Sequence, residues 1–181
     1  ASQFLNDVHD HTGLVLERAT GRYGFIHLTF EEYLAGVGLG LRGQEGVGRI
    51  VEAIRPHLHE PAWREVILLT VGYLGLIQMR EETASALVDA LLSDDSPPAG
   101  AAVVLAGDAV QDVGSGGVTE ACRVKTAKAL CNTMSDGQVS PDLRAQAGAT
   151  LGRLGDERRG VVPRSLDDLA QMEFCFVPPG S

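Results

Sequence analysis

Cysteine, lysine and aromatic residues are all scarce in this chain of 181 residues, in which Lys125 and Lys128 are the two lysines. The three cysteines, Cys122, Cys131 and Cys175, form no C-x-x-C pair, so the sequence indicates neither a disulfide framework nor a zinc site. Sparse, unpaired cysteines are typical of the reducing cytoplasm, which is the compartment that we predict.

Long hydrophobic runs and an excess of positive charge are missing as well. The longest apolar run, Val66–Ile77, is shorter than the roughly 18–20 residues of a membrane-spanning helix. No basic stretch precedes an apolar segment near the N-terminus, as a secretory signal requires. The formal net charge of −9 disfavours nucleic acid as a partner, because phosphate binding needs a basic face. We therefore expect a protein that binds neither a membrane nor nucleic acid.

The sequence also has no motif for nucleotide hydrolysis or nucleophilic catalysis. It contains no G-x-x-x-x-G-K-[ST], since Lys125 and Thr126 lack the preceding glycine, and it contains no G-x-S-x-G. Gly38–Gly43 matches G-x-G-x-x-G, but a dinucleotide site needs this motif after a strand. Here it follows a predicted helix, so we interpret it as a frayed helix end and a loop.

Two histidine pairs, His9 with His11 and His57 with His59, raise the question of a metal site. Side chains two residues apart on a helix point about 200° away from each other and do not easily share an ion. Adjacent acidic residues such as Glu31 and Glu32 diverge in the same way. We predict surface or packing histidines, solvated carboxylates and no catalytic residue, so the chain is not expected to be an enzyme.

In the first 43 residues the spacing of apolar side chains changes from that of a helix to that of a β-hairpin and back to that of a helix. Residues 2–11 have a helical pattern, and the apolar stretches on either side of Gly21 predict a β-hairpin. Thr29 with Glu32 predicts an N-cap and a capping box for the next helix. That helix has one apolar face, which we expect to be buried: Phe30, Tyr33, Leu34 and Val37. This order suits the C-terminal part of a winged-helix subdomain, residues 1–43.

Residues 44–159 have only helical patterns. Pro61 predicts one helix start, Ser140 with Pro141 predicts another as N-cap and first residue, and Gly155 predicts a helix end. The predicted starts at Ala62, Ala99 and Asp142 are 37 and 43 residues apart, near the period of HEAT-type helix pairs. We therefore predict a mainly α-helical fold, a short α-solenoid of HEAT-like helix pairs preceded by a winged-helix end with a small β-hairpin.

Residues 160–181 have a different composition from the helical part. Val161–Arg164 has the composition of a linker, and Phe174–Val177 is a candidate strand. We expect residues 160–181 to be a linker and the first strand of a truncated downstream domain. Because the chain begins at Ala1 and stops within an extended segment, we also expect it to be a piece of a longer polypeptide.

Three stretches resemble a known family. Tyr23–Ala35 (YGFIHLTFEEYLA) resembles the F-x-H-x-T-F-[QE]-E-[YF]-[LF]-A signature that closes the winged-helix part of NACHT-type signal-transducing NTPases, the group that includes NOD-like receptors. Leu143–Asp156 resembles the R-x-x-A-x-x-x-L-G-x-L-G-D pattern of bacterial HEAT-like repeats. Phe176–Ser181 is similar to the opening V-P-x-G of formylglycine-generating-enzyme-like domains.

The resemblance implies a regulatory scaffold that couples the nucleotide switch of a bacterial NACHT protein to a C-terminal sensor or effector domain, in defence or signalling. In that family the histidine that matches His27 touches the β-phosphate of bound ADP, so ATP or ADP is implied for the intact protein and no cofactor for this fragment. The implied partners are the protein's own NTPase and downstream domain, and further copies of the intact protein.

Two alternatives remain open from the residues. His27 is either that phosphate ligand or a hydrogen-bonded core histidine at the end of the hairpin. The chain is either the regulatory segment or a stand-alone adaptor that binds proteins on the concave face of its solenoid.

Overall fold

A computed structural model describes residue 8, residues 12–156 and residues 158, 165 and 167, and shows a β-hairpin followed by seven α-helices. The elements are β1 (Val15–Ala19), β2 (Arg22–Phe25), α1 (Leu28–Arg42), α2 (Val47–Ile54), α3 (Pro61–Gly72), α4 (Glu81–Leu92), α5 (Ala101–Val113), α6 (Glu120–Ser135) and α7 (Pro141–Leu154). The predicted mainly α-helical fold with a small hairpin is confirmed. Most of the helix predicted over residues 2–11 and all of the strand Phe174–Val177 lie outside the described residues.

The hairpin forms where the period-two pattern predicts it. β1 and β2 are antiparallel, with Val15 opposite Phe25, and the chain turns at Thr20 and Gly21. Gly21 has a φ of +72°, a conformation that glycine adopts without steric cost, and its N–H donates to Glu17 Oε1 over 2.7 Å.

The start of α1 differs from the prediction by two residues. His27, and not Thr29, is the N-cap: it has an extended backbone, with φ −129° and ψ 139°, and its carbonyl accepts from Phe30 N over 3.2 Å. Hairpin pairing keeps the preceding residue extended, because Ile26 N donates to Leu14 O over 3.0 Å. Thr29 therefore lies inside the first turn, and the capping role predicted for it is wrong.

The buried face of α1 also differs from the prediction. Phe30, Tyr33 and Leu34 are exposed, whereas Gly36, Leu39 and Gly40 are buried. A Cβ on Gly36 would lie 3.1 Å from Leu69 Cβ, so this glycine lets α1 approach the backbone of α3 closely. Close backbone packing on α3 therefore decides which face is covered, and the large side chains of α1 point away from it.

The helices stack in two layers, as in an α-solenoid. The first layer contains α1, α3, α5 and α7, each packed on the next, and the second contains α2, α4 and α6. The first-layer helices α3, α5 and α7 begin at residues 61, 101 and 141, so each start lies 40 residues after the one before. Pro61 and Pro141 are first helical residues as predicted, Ser140 is the N-cap of α7, and Gly155 ends that helix at a φ of +101°.

The hydrophobic core runs along the whole stack. A large cluster joins α1 to α6, and its fully buried side chains include Ile50, Ile67, Leu74, Leu87 and Val110. A smaller cluster of Val104, Leu130, Ala147 and Leu151 joins α5, α6 and α7, and Leu154 packs against both clusters. Within the described part of the chain, no helix combines the length and the apolar character that crossing a bilayer requires.

We predict that Gly36→Ala and Gly38→Ala change stability in opposite directions. A methyl group on Gly36 meets the α3 backbone, including Thr70 N at 3.2 Å, whereas a Cβ on Gly38 would have no neighbour within 4 Å. Gly36→Ala should lower the free energy of unfolding by about 1–3 kcal/mol, and Gly38→Ala should raise it by up to ~1 kcal/mol. Equal stabilisation by both changes in urea titrations would contradict the α1–α3 packing.

Leu151→Ala should cost about 2–5 kcal/mol of unfolding free energy, because the side chain is only 3% exposed within the smaller core cluster. Leu41 offers a matched control on α1, since it is 46% exposed. Its replacement by alanine should change the free energy by less than about 0.5 kcal/mol. A small loss for Leu151→Ala would mean that α7 is rotated about its axis.

Candidate functional site

His27 lies at the junction between β2 and α1. Its side chain is exposed and does not cap the helix, and its ring centroid lies 6.2 Å from that of Phe30 with an interplanar angle of 43°. The alternative of a core histidine at the end of the hairpin is therefore wrong. An exposed imidazole beside the first turn of a helix is open to a partner or a ligand.

The side chains around His27 form an exposed apolar patch, which we call the junction surface. Leu28 is 66% exposed and Leu34 is 50% exposed, and the full set is Ile26, His27, Leu28, Phe30, Tyr33 and Leu34. Phe30, Tyr33 and Leu34 recur at helical spacing and so share one exposed face of α1, and exposed apolar faces mark sites of interaction. The helical stripe predicted from the sequence therefore exists, but it faces outward and is available to another protein surface.

Two glycines of the G-x-G-x-x-G match, Gly40 and Gly43, have packing roles, whereas Gly38 has no close neighbour. Gly38 and Gly40 lie inside α1, which continues to Arg42, and Gly43 opens a single 3₁₀ turn. The predicted frayed helix end is wrong, because a Cβ on Gly40 would lie 2.5 Å from Tyr73 Cδ1 and one on Gly43 would lie 2.7 Å from Ile50 Cδ1. The motif does not follow a strand, and so lacks the geometry of a dinucleotide site.

One histidine of the α2–α3 connection, His57, is held by neighbouring side chains. His57 Nδ1 lies 2.9 Å from Glu60 Oε1, and the imidazole stacks on Trp63 with 4.0 Å between ring centroids. His59 is exposed, whereas His9 and His11 lie outside the described residues. No group of three or more His, Cys, Asp or Glu side chains in the described ranges is placed to hold a metal ion.

A polar network that the sequence did not predict joins three helices of the first layer. Arg64 Nη2 on α3 donates to Asp108 Oδ2 on α5 over 2.7 Å, and Thr150 Oγ1 on α7 donates to Asp108 Oδ1 over 2.9 Å. Burial lowers the pKa of Arg64, but its hydrogen bond to Asp108 and the charges of Asp108 and Glu65 outweigh that effect, so the pKa is raised. Asp108 therefore links α3, α5 and α7.

The sequence carries no direct signal for this network. Arg64 is the fourth residue of α3, Asp108 the eighth of α5 and Thr150 the tenth of α7, so the three residues do not occupy equivalent repeat positions. Arg64 and Asp108 are 44 residues apart, and Asp108 and Thr150 are 42 apart, so their contacts form only when the helices stack. A search for short motifs could not have found them.

The thiol of Cys122 is buried and is not activated as a nucleophile. Burial raises the pKa of the Cys122 thiol, which disfavours the nucleophilic thiolate. Its backbone N–H donates to the N-cap Thr119 Oγ1 over 3.3 Å, and Thr119 N in turn donates to Ser85 Oγ over 2.9 Å. This cluster fixes the start of α6 on α4, which is a structural role.

We predict that Asp112→Asn stabilises the protein at neutral pH. Partial burial raises the pKa of Asp112, and the charge of Asp108 adds to the increase, so the ionised side chain is disfavoured in the folded state. Asp112 also lies in the last turn of α5, where a negative charge opposes the helix dipole. The increase in melting temperature should be present at pH 7 and should shrink as the pH falls through the raised pKa toward about 4.

Asp142→Asn is the matched control for this effect. Asp142 lies in the first turn of α7, where a negative charge favours the helix, so its neutralisation should lower the melting temperature at pH 7. A fall in melting temperature for Asp112→Asn at pH 7 would contradict the electrostatic assignment.

No protein-family model, no curated protein and no solved structure matches this chain. Its function is therefore inferred from the junction surface, the stacked helices and the sequence resemblance.

Proposed function

We propose that this chain is a non-catalytic regulatory segment of a cytoplasmic bacterial NACHT-type NTPase, and that it couples the nucleotide switch to a C-terminal sensor or effector domain. The main support for this proposal is the junction surface. It presents an exposed histidine among large apolar side chains within Tyr23–Ala35, the stretch that resembles the NACHT signature. A surface of this kind fits a partner domain that closes over it.

The junction surface is attached to a stack that can move as a unit. α1 packs on α3 through Gly36 and Gly40, and Asp108 joins α3 to α5 and α7. A displacement of α1 by the NTPase would therefore be carried along the first layer to α7. Rigid-body movement of a packed element is a common way to transmit a change of state between domains.

His27 supplies the proposed contact to nucleotide. As the N-cap of α1 it holds an imidazole beside the N-terminus of a 15-residue helix, where the helix dipole favours a phosphate group. An imidazole N–H can donate to a phosphate oxygen of ADP held by the NTPase. In this proposal the NTPase holds ADP, and His27 is the residue through which this chain recognises the ADP state.

A stand-alone adaptor is the second candidate function. A cavity of about 300 Å³ opens between α3, α5 and α7, with Leu58, His59, Arg64, Asp108 and Gln146 among its lining residues. It lies beside the Asp108 network on the first layer and combines apolar with charged groups. A surface of this composition could bind a peptide without any nucleotide switch.

We predict that His27→Ala accelerates ADP release from the longer polypeptide that contains this chain. Loss of a hydrogen bond to a charged group costs about 1.5–3 kcal/mol, which corresponds to roughly 10- to 100-fold in the dissociation rate. His59→Ala is the control, because His59 is also exposed but is not one of the residues of the junction surface. Equal ADP release rates for the wild type and His27→Ala would contradict the proposed contact.

Limited proteolysis of the same polypeptide separates the two candidate functions. The connection Ser93–Pro98 joins α4 to α5 and contains exposed residues. Cleavage there that differs between the ADP and ATP states supports transduction of the switch. Cleavage that is indifferent to nucleotide supports the adaptor.

A further inference from the structure

An open cavity of about 480 Å³ lies between α1, the end of α2 and the start of α3, and we call it the α1–α3 cavity. Its volume falls in the range of roughly 300–1,000 Å³ that is usual for small-molecule sites. The cavity combines small, aromatic and basic residues. α1 contributes Ala35, Gly38 and Arg42 to the lining, and the facing side contributes Ala53, His57 and Trp63.

Small residues keep the α1–α3 cavity open. A Cβ on Gly38 would meet no heavy atom within 4 Å, so no described side chain fills the space beside this position. Ala35 and Ala53 present only methyl groups to the cavity. An unfilled space beside apolar groups favours a ligand that brings an apolar group of its own.

One wall of the cavity is a pair of stacked rings. The centroids of the His57 imidazole and the Trp63 indole lie 4.0 Å apart, and their planes differ by only 3°. His57 Nδ1 lies 2.9 Å from Glu60 Oε1, and Trp63 N donates to Glu60 O over 2.9 Å, so contacts to the same residue hold both. The two rings therefore give an aromatic ligand a preformed surface to pack against.

The charged group of the cavity is the guanidinium of Arg42, in the last turn of α1. No hydrogen bond or ion pair joins Arg42 to another residue in the part of the chain that the structure describes. Nearby carboxylates are engaged elsewhere, since Glu45 and Glu52 lie 3.7 and 3.4 Å from nitrogens of Arg49. No described Asp or Glu side chain lines the cavity, so its charge selects an anion.

A single carboxylate suits this cation better than a phosphate group. The planar fork of an arginine donates two parallel hydrogen bonds to one carboxylate, and one guanidinium balances one negative charge. A phosphate dianion would keep an unbalanced charge on a chain whose formal net charge is already −9.

We propose that the α1–α3 cavity binds a small aromatic carboxylic acid. Its ring packs against His57 and Trp63, and its carboxylate accepts hydrogen bonds from Arg42. The site is independent of the proposed regulatory role, because no residue of the junction surface lines the cavity.

Trp63 provides the readout, because it is the only tryptophan of the 181-residue chain. Phenylacetate is a suitable probe, since its ring does not absorb at the long-wavelength edge of the tryptophan spectrum, where the protein is excited. We expect a saturable change in Trp63 fluorescence and a matching Kd from titration calorimetry. Phenylacetamide, which lacks the charge, and acetate, which lacks the ring, should bind at least about tenfold more weakly.

Arg42→Gln tests the contact to the carboxylate. It should raise the Kd for phenylacetate by about tenfold or more, because the bond between two charged groups is lost. Arg22→Gln is the control: Arg22 is exposed on β2, does not line the cavity, and its replacement removes the same charge. The Kd of this variant should stay within about twofold of the wild-type value.

Gly38→Leu tests the space itself. The added side chain has room on α1 and should occupy the cavity, so calorimetry should detect no binding of phenylacetate. Gly48→Leu is the matched control, because a Cβ on Gly48 also meets nothing within 4 Å and this residue lies on α2 outside the lining. Circular dichroism melting checks that both variants are folded.

Three results would each overturn the proposed site. One is the absence of saturable phenylacetate binding by both fluorescence and calorimetry. Another is an equal affinity for phenylacetate and phenylacetamide, which would leave Arg42 without a role. The last is an unchanged Kd in Arg42→Gln or in Gly38→Leu, which would place the bound probe elsewhere on the protein.

Discussion

The close contact between α1 and α3 is the constraint on which the proposed role depends. Gly36 and Gly40 allow the backbones of the two helices to approach closely, and this contact buries the face of α1 that carries these glycines. The larger side chains at Phe30, Tyr33 and Leu34 are consequently left on the outside. One choice of packing face thus anchors α1 to the solenoid and creates the junction surface.

The sequence predicted the parts of the fold that local chemistry determines. Gly21 supplies the hairpin turn, Pro61 and Ser140 mark helix starts, and the helix interval follows from apolar periodicity. The buried face of α1 was predicted wrongly, because hydrophobic periodicity assumes that the largest apolar side chains face the core. In the structure Gly36 and Gly40 face the core instead, and this follows from the packing of α1 on α3, which the sequence does not show. The Asp108 network was missed for a related reason: its partners lie more than 40 residues away in the sequence.

Apolar side chains are exposed at both limits of the helices that the structure describes. The junction surface exposes them beside α1, and Val124 is exposed in the groove between α6 and α7. Two packed clusters, both in contact with Leu154, fill the interior between these surfaces. Polar groups between the helices, Ser85, Thr119 and Asp108 among them, join neighbouring helices through hydrogen bonds.

The most direct measurement of the central claim is the solvent accessibility of the junction surface in the longer polypeptide. Hydroxyl-radical footprinting reports the exposure of Phe30 and Tyr33 individually, and Met79, which is 80% exposed and is not part of the junction surface, serves as an internal reference. Both aromatic side chains are expected to be protected in the ADP state and to become accessible in the ATP state, while the oxidation of Met79 stays constant. The same high accessibility of Phe30 and Tyr33 in both states would contradict it.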